Sequence, residues 1–200
     1  MEYIHEIPHH IDDIVCDDII SRFEAEPKKE PGKIGEGTVV KTIKNSMDFG
    51  IIPEYKHWSE VDTYLSHKIT EGIKKYKTYI QNLVGEAWNS VWGEALFDKL
   101  FDTGYQIQRT DQDGFYIWHH DGNPGQHRVF ACIIYLNTLT PEDGGTTDFM
   151  IGSKRISITP EKGKMLIFPS VWPYLHTGTQ PVLINTKYKY IVSTFICVPT

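Results

Sequence analysis

Gly114-Phe115-Tyr116-Ile117-Trp118-His119-His120-Asp121 reads as a strand that runs into a pair of metal-ligand residue types. Side chains two apart on a strand share a face. His119 and Asp121 therefore point one way and His120 the other. One imidazole and one carboxylate on one side can grip a single cation. A second histidine from elsewhere would complete a set of two histidines and one carboxylate, which leaves positions open on a transition metal. A lone His-x-Asp is weak evidence, and His10-Ile11-Asp12 matches it too. That second match reads as a helix entrance, where Asp12 or Asp13 can cap a helix over 12–25.

Outward from this stretch the chain is written in short strands. Gln106–Gln108, Phe115–His119, Arg128–Leu136, Arg155–Thr159, Lys164–Phe168 and Tyr188–Val198 are separated by Gly, Pro, Asn and Asp. Such punctuation predicts a sandwich or barrel. The first half has a different texture. Ile14, Val15, Ile19, Ile20 and Phe23 recur at helical spacing. Residues 26–38 read as a loop, Val39–Ile43 as a short strand and 93–101 as a short helix. A longer helix begins near Ser59, with Glu60 and Asp62 in its first turn, where carboxylates favour the positive end of the dipole. Its stripe is Val61, Tyr64, Leu65, Ile69, Ile73, Tyr76 and Ile80. The expected fold is mainly β with N-terminal helices (α+β), a double-stranded β-helix or jelly roll buttressed by those helices. The expected organisation is one domain over 1–200. Residues 1–103 supply helical support, with a lid within 26–57, and 104–200 form the catalytic core.

Composition narrows the function. The chain has 200 residues, 40% of them hydrophobic, and a net charge of −6. It has no basic run, so duplex nucleic acid is not an expected partner. No apolar run approaches the ~18 residues of a membrane span. Cys16, Cys132 and Cys197 lie far apart with no CxxC pair, which predicts reduced, buried thiols. The first residues lack a signal-peptide layout. The expectation is a soluble, cytoplasmic protein of unspecified oligomeric state.

The text from Gly114 onward carries a resemblance. Gly114 to Asp121 is followed by Arg128 through Tyr135-Leu136-Asn137, then Gly144-Gly145-Thr146-Thr147-Asp148-Phe149 and Pro160 to Ser170. Last come His176-Thr177-Gly178, Pro181-Val182 and Lys189-Tyr190-Ile191-Val192-Ser193-Thr194-Phe195. In this order the chain resembles the iron(II)/2-oxoglutarate-dependent dioxygenases, in particular the prolyl 4-hydroxylase-like branch and its small phage and bacterial members. The resemblance implies that His119, Asp121 and His176 hold Fe(2+). It implies 2-oxoglutarate and O2 as cosubstrates, with ascorbate as a candidate accessory.

The same resemblance places a cationic anchor for 2-oxoglutarate on the strand after the second histidine. Lys189 fits by local text. Lys187, two residues earlier and on the same strand face, is the rival. With Lys189 inward, Ile191, Ser193 and Phe195 face inward as well. Ser193 then needs a partner, from the cosubstrate, an iron-site water or the backbone. Tyr135 matches a family tyrosine facing the cosubstrate. Thr110 stands where many relatives carry tyrosine and can supply one hydrogen bond. Arg128, Trp118 and Trp172 are candidate substrate contacts near the mouth.

The activity so implied is hydroxylation of a C–H bond, with 2-oxoglutarate converted to succinate and carbon dioxide. By branch, the substrate is a prolyl residue of a peptide or protein, with a small molecule as the other option. Two rivals stay open: a cupin-like jelly-roll metal enzyme without 2-oxoglutarate, and a non-catalytic binding module of the same fold.

Overall fold

The computed structural model describes residues 2–35, 37–90, 93–122, 125–181 and 188–199. The first half contributes β1 (His5–Ile7), α1 (Asp13–Ala25), β2 (Glu30–Pro31), β3 (Lys44–Asn45), β4 (Met47–Ile51), α2 (Ser59–Val84), α3 (Gly93–Phe97) and β5 (Phe101–Asp102). The second half contributes β6 (Tyr105–Thr110), β7 (Phe115–His119), β8 (Arg128–Tyr135) and β9 (Thr147–Ile151). It ends with β10 (Lys154–Ile158), β11 (Met165–Pro169), β12 (Leu175–Gly178) and β13 (Lys189–Cys197).

The strands form two antiparallel sheets. The major sheet runs β1-β11-β8-β13-β6-β4-β2, with β5 also on β13, and the minor sheet runs β10-β9-β12-β7-β3. This is the expected jelly roll with helices beside it. Alternation along the central strands sorts residues into two cores. Ile107, Ile134, Ile167, Val192 and Ile196 join α1 and α2 in one cluster, and Ala131, Tyr135, Phe149, Leu166 and Phe168 form the other. The odd positions Lys189, Ile191, Ser193 and Phe195 of β13 line the cavity described below.

Of its predicted stripe, α2 buries Val61, Leu65, Ile69 and Tyr76, packs Tyr64, Ile73 and Ile80 partly buried against the core, and adds Gly72. In α1 the buried residues are Cys16, Ile19 and Phe23, whereas Ile14 is 79% exposed. Positions 16, 19 and 23 share one face at 3.6 residues per turn, and position 14 faces away. Asp12 is the N-cap of α1 but its side chain makes no capping bond. It accepts instead from the Tyr64 hydroxyl at 2.9 Å, tying α1 to α2.

Three local expectations are corrected. Residues 39–43 are not a strand, because the Val40 carbonyl accepts from the amides of Ile43 and Lys44 and closes a turn. The short helix stops at Phe97, and Phe101–Asp102 pairs with β13 instead. The segment 26–57 is not one free lid. Within it β4 pairs with β6 and buries Phe49 and Ile51, while Lys44 and Asp48 form a buried ion pair at 2.6 Å. Strands preceding residue 104 thus contribute to both sheets. All three cysteines are buried and free. Among the described residues no helix is long and apolar enough to cross a membrane.

Candidate metal centre and its cavity

The minor sheet brings two histidines side by side. Strand β12 lies between β7 and β9, and in the β12–β7 register His176 is the direct partner of His119. Asp121 follows two residues after His119, just past the end of β7. The ligand atoms of His119, Asp121 and His176 all lie within 4.8 Å of one another. His119 Nε2 is 3.5 Å from Asp121 Oδ1, and His176 Nε2 is 3.4 Å from Asp121 Oδ2.

The backbone fixes how the rings face. His119 Nδ1 lies 2.7 Å from the Ile117 carbonyl, and His176 Nδ1 lies 3.2 Å from the Tyr174 carbonyl. A carbonyl can only accept, so each Nδ1 carries the proton and each Nε2 keeps a lone pair for a metal. Tyr116 stacks on His119 at 3.5 Å between ring centroids, and Phe149 and Phe168 pack against His176. Burial pushes the His176 pKa down to about 4, which keeps the ring neutral as a ligand must be. Burial also works to raise the Asp121 carboxyl, but His176, His119 and Arg128 outweigh it and hold it below the usual range. Two imidazoles pre-oriented by backbone carbonyls, together with an ionised carboxylate, fit iron(II) and leave a face open.

The centre opens on a cavity of about 530 Å³ between the sheets. Lys189 reaches it from β13, opposite Thr110 in the β13–β6 register. Its ammonium is fully enclosed, and its hydrogen-bonding contacts are the Thr147 hydroxyl at 3.3 Å and the Thr146 carbonyl at 3.4 Å. Burial brings its pKa down to about 7, only partly offset by Asp148. A buried ammonium with two long neutral contacts is the complement of a carboxylate. Thr110 and Ser193 also line the cavity. Ser193 Oγ accepts from Gln108 Nε2 at 3.0 Å, a side-chain partner the sequence did not suggest.

Other candidates fall elsewhere. Tyr135 is fully buried behind Thr147 and donates its hydroxyl to Thr147 Oγ1 at 2.7 Å, so it meets the cavity through that threonine. Arg128 lines the cavity. Trp118 is not among the lining residues: it is on the face of β7 opposite His119, 40% exposed, with the Arg155 guanidinium 5.8 Å from its ring. Trp172, 69% exposed, is not among the cavity's lining residues but borders a depression with His127 and Val171 that shares His120, Gly122 and Arg128 with it. Lys187 and Val182 lie outside the described residues. Sequence reasoning missed Thr147, whose only signal was its place in the Gly144–Phe149 stretch. It also missed Lys44, which lines the cavity.

A jelly roll carrying two histidines and a carboxylate beside a buried lysine defines a class, the non-haem iron oxygenases that consume an oxo-diacid. Residues 105–197 match the family model of the 2OG-Fe(II) oxygenase superfamily. Iron(II), 2-oxoglutarate and O2 are accordingly its cofactor and cosubstrates. Among curated proteins none matches the chain in sequence. Solved structures do match in fold. A prolyl-4-hydroxylase from Pseudomonas putida is 17% identical with a TM-score of 0.72, covering 98% of this chain and 92% of that one. The viral collagen prolyl hydroxylase of Paramecium Bursaria Chlorella virus-1, solved with 2-oxoglutarate, is 20% identical with a TM-score of 0.67, covering 99% and 97%. A Trichoplax adhaerens prolyl hydroxylase, in complex with a hypoxia inducible factor peptide fragment, is 14% identical with a TM-score of 0.75, covering 99% and 84%. At these identities the likeness is one of fold, and it agrees with the branch resembled in the sequence.

Proposed function

We propose that this protein hydroxylates a C–H bond of a prolyl residue in a peptide or protein, using His119, Asp121 and His176 to hold iron(II) and Lys189 to anchor 2-oxoglutarate. One observation carries the reading. The three ligand atoms, within 4.8 Å of one another, share a single cavity with a buried ammonium that has no carboxylate partner among the described residues. A cupin-like enzyme without 2-oxoglutarate has no use for that ammonium. A binding module without turnover has no need of the full ligand set. The prolyl substrate is supported by the three similar structures named above, which are prolyl hydroxylases, one of them bound to a peptide.

When bound, iron(II) supplies the oxygen activation that is coupled to oxidative decarboxylation of 2-oxoglutarate. The protein's residues do the rest. His119 and His176 present Nε2 lone pairs because backbone carbonyls hold their Nδ1 protons. Lys189 fixes the far carboxylate of the cosubstrate, with the Thr147 hydroxyl beside it. Thr110 and Ser193 border the same space and offer hydroxyls. Ile133, Ile191 and Phe195 line the wall and help exclude water while the reactants are held.

The test is succinate formation by the iron-loaded protein, dependent on 2-oxoglutarate and oxygen, alongside a mass gain of roughly 16 Da on proline-containing peptides. Succinate without any peptide gain would retain the oxygenase and remove the prolyl substrate. Absence of succinate would remove both.

A further inference from the structure

The cavity's charges do not balance once the cosubstrate is in place. Among the described residues, four cationic side chains line it, Lys33, Lys44, Lys189 and Arg128, against one carboxylate, Asp121. This sits in a chain whose net charge is −6. Lys33 and Lys44 already have partners, Glu30 and Asp48, each at 2.6 Å. Lys189 and Arg128 have no carboxylate within ion-pair distance among the described residues.

Resting on the proposed function, the accounting is simple. Iron(II) with Asp121 leaves one positive charge, and Lys189 adds a second. The two carboxylates of 2-oxoglutarate cancel both. Arg128 is left over. Its Nη1 donates to the Asp121 carbonyl at 3.1 Å, and its guanidinium lies 3.6 Å from the centroid of the Phe195 ring. That carbonyl occupies one of five N–H donors. Half-burial already works against its charge. A guanidinium held over an aromatic ring is poised to take a carboxylate two-pronged.

We infer that Arg128 recognises a carboxylate on the primary substrate, so that the preferred peptide carries Asp or Glu next to the target proline. The spacing follows from the contact with Asp121. A group docked on Arg128 lies beside the metal centre, and an extended peptide advances roughly 3.5 Å per residue. The acidic residue therefore falls one position before or after the proline. A nucleic-acid phosphate is disfavoured, because the acidic chain repels a polyanion while a single half-buried guanidinium can bind one carboxylate.

The test compares fluorescent peptides with Asp, Asn or Lys beside the proline, binding to iron- and 2-oxoglutarate-loaded protein with oxygen excluded. Anisotropy should give about tenfold tighter binding for Asp than for Asn, and weakest binding for Lys. Added salt should erode the preference. Arg128→Gln should erase the difference between Asp and Asn, and Arg128→Lys should keep part of it. Equal binding of the Asp and Asn peptides to the unaltered protein overturns the inference and needs no folded variant. So do a preference that survives Arg128→Gln, failure of every acidic peptide to bind, and tighter Arg128-dependent binding of a single-stranded oligonucleotide. Succinate formation by the same preparation is read separately. Succinate without an acidic preference removes only this inference, whereas no succinate removes the oxygenase reading beneath it.

Discussion

Lys189 Nζ lies 3.3 Å from Thr147 Oγ1, at the closed end of the cavity that His119, Asp121 and His176 border. Its pKa of about 7 has a sign that can be read in binding. Above pH 7 the free protein holds this amine largely neutral. A bound carboxylate favours the ammonium and raises the pKa. Binding of 2-oxoglutarate at pH 8 should therefore take up a proton, and affinity should fall as pH rises above 7. Calorimetry in buffers of different ionisation enthalpy measures the uptake. Lys189→Met should weaken binding about 10- to 100-fold and abolish the proton uptake.

Thr147→Val keeps the shape and removes the hydroxyl that both Tyr135 and Lys189 use. The Tyr135 hydroxyl is then buried without its partner, a cost of about 1–3 kcal/mol. Urea denaturation should show that loss, and the KM for 2-oxoglutarate should rise with little change in iron affinity.

Lys44 and Asp48 are both buried, and Asp48 also accepts from Ser46 Oγ at 2.7 Å. Lys44→Met strands a buried carboxylate and should destabilise the fold by about 3–5 kcal/mol. The double variant Lys44→Met, Asp48→Leu should recover much of that in the same denaturation assay.

His176→Ala removes one of the three proposed ligands and should lower iron(II) affinity by about 100-fold or more, beyond the loss typical of outer-shell partners. Competition with a chromogenic chelator measures it. An intact far-ultraviolet spectrum would place the defect in the site.

The legible parts of this fold were those written in periodicity. The stripe on α2 and the alternation of β13 follow from apolar spacing, and the spacing of His119 and Asp121 put them on one face of β7. The segment around β3 and β4 was opaque for a physical reason. Lys44 and Asp48 are core residues that satisfy each other, so the strand does not look hydrophobic. β1 was missed because three residues carry no period, and its pairing with β11 joins positions about 160 apart. Thr147 was invisible as a site residue because its importance lies in what Tyr135 and Lys189 do with it. The direction of Trp118 was available from the parity that oriented His119, which places it on the opposite face.

The cross-strand pairing of His119 with His176 has a consequence for how the apoprotein behaves. The two rings are held by a hydrogen-bonded ladder and by the backbone carbonyls of Ile117 and Tyr174. The socket is thus assembled by folding, before any ion arrives, unlike small domains whose metal drives the folding. Stripping the iron should leave a cooperative melting transition with only a modest drop in midpoint, and re-adding the ion should restore the starting curve without a refolding lag.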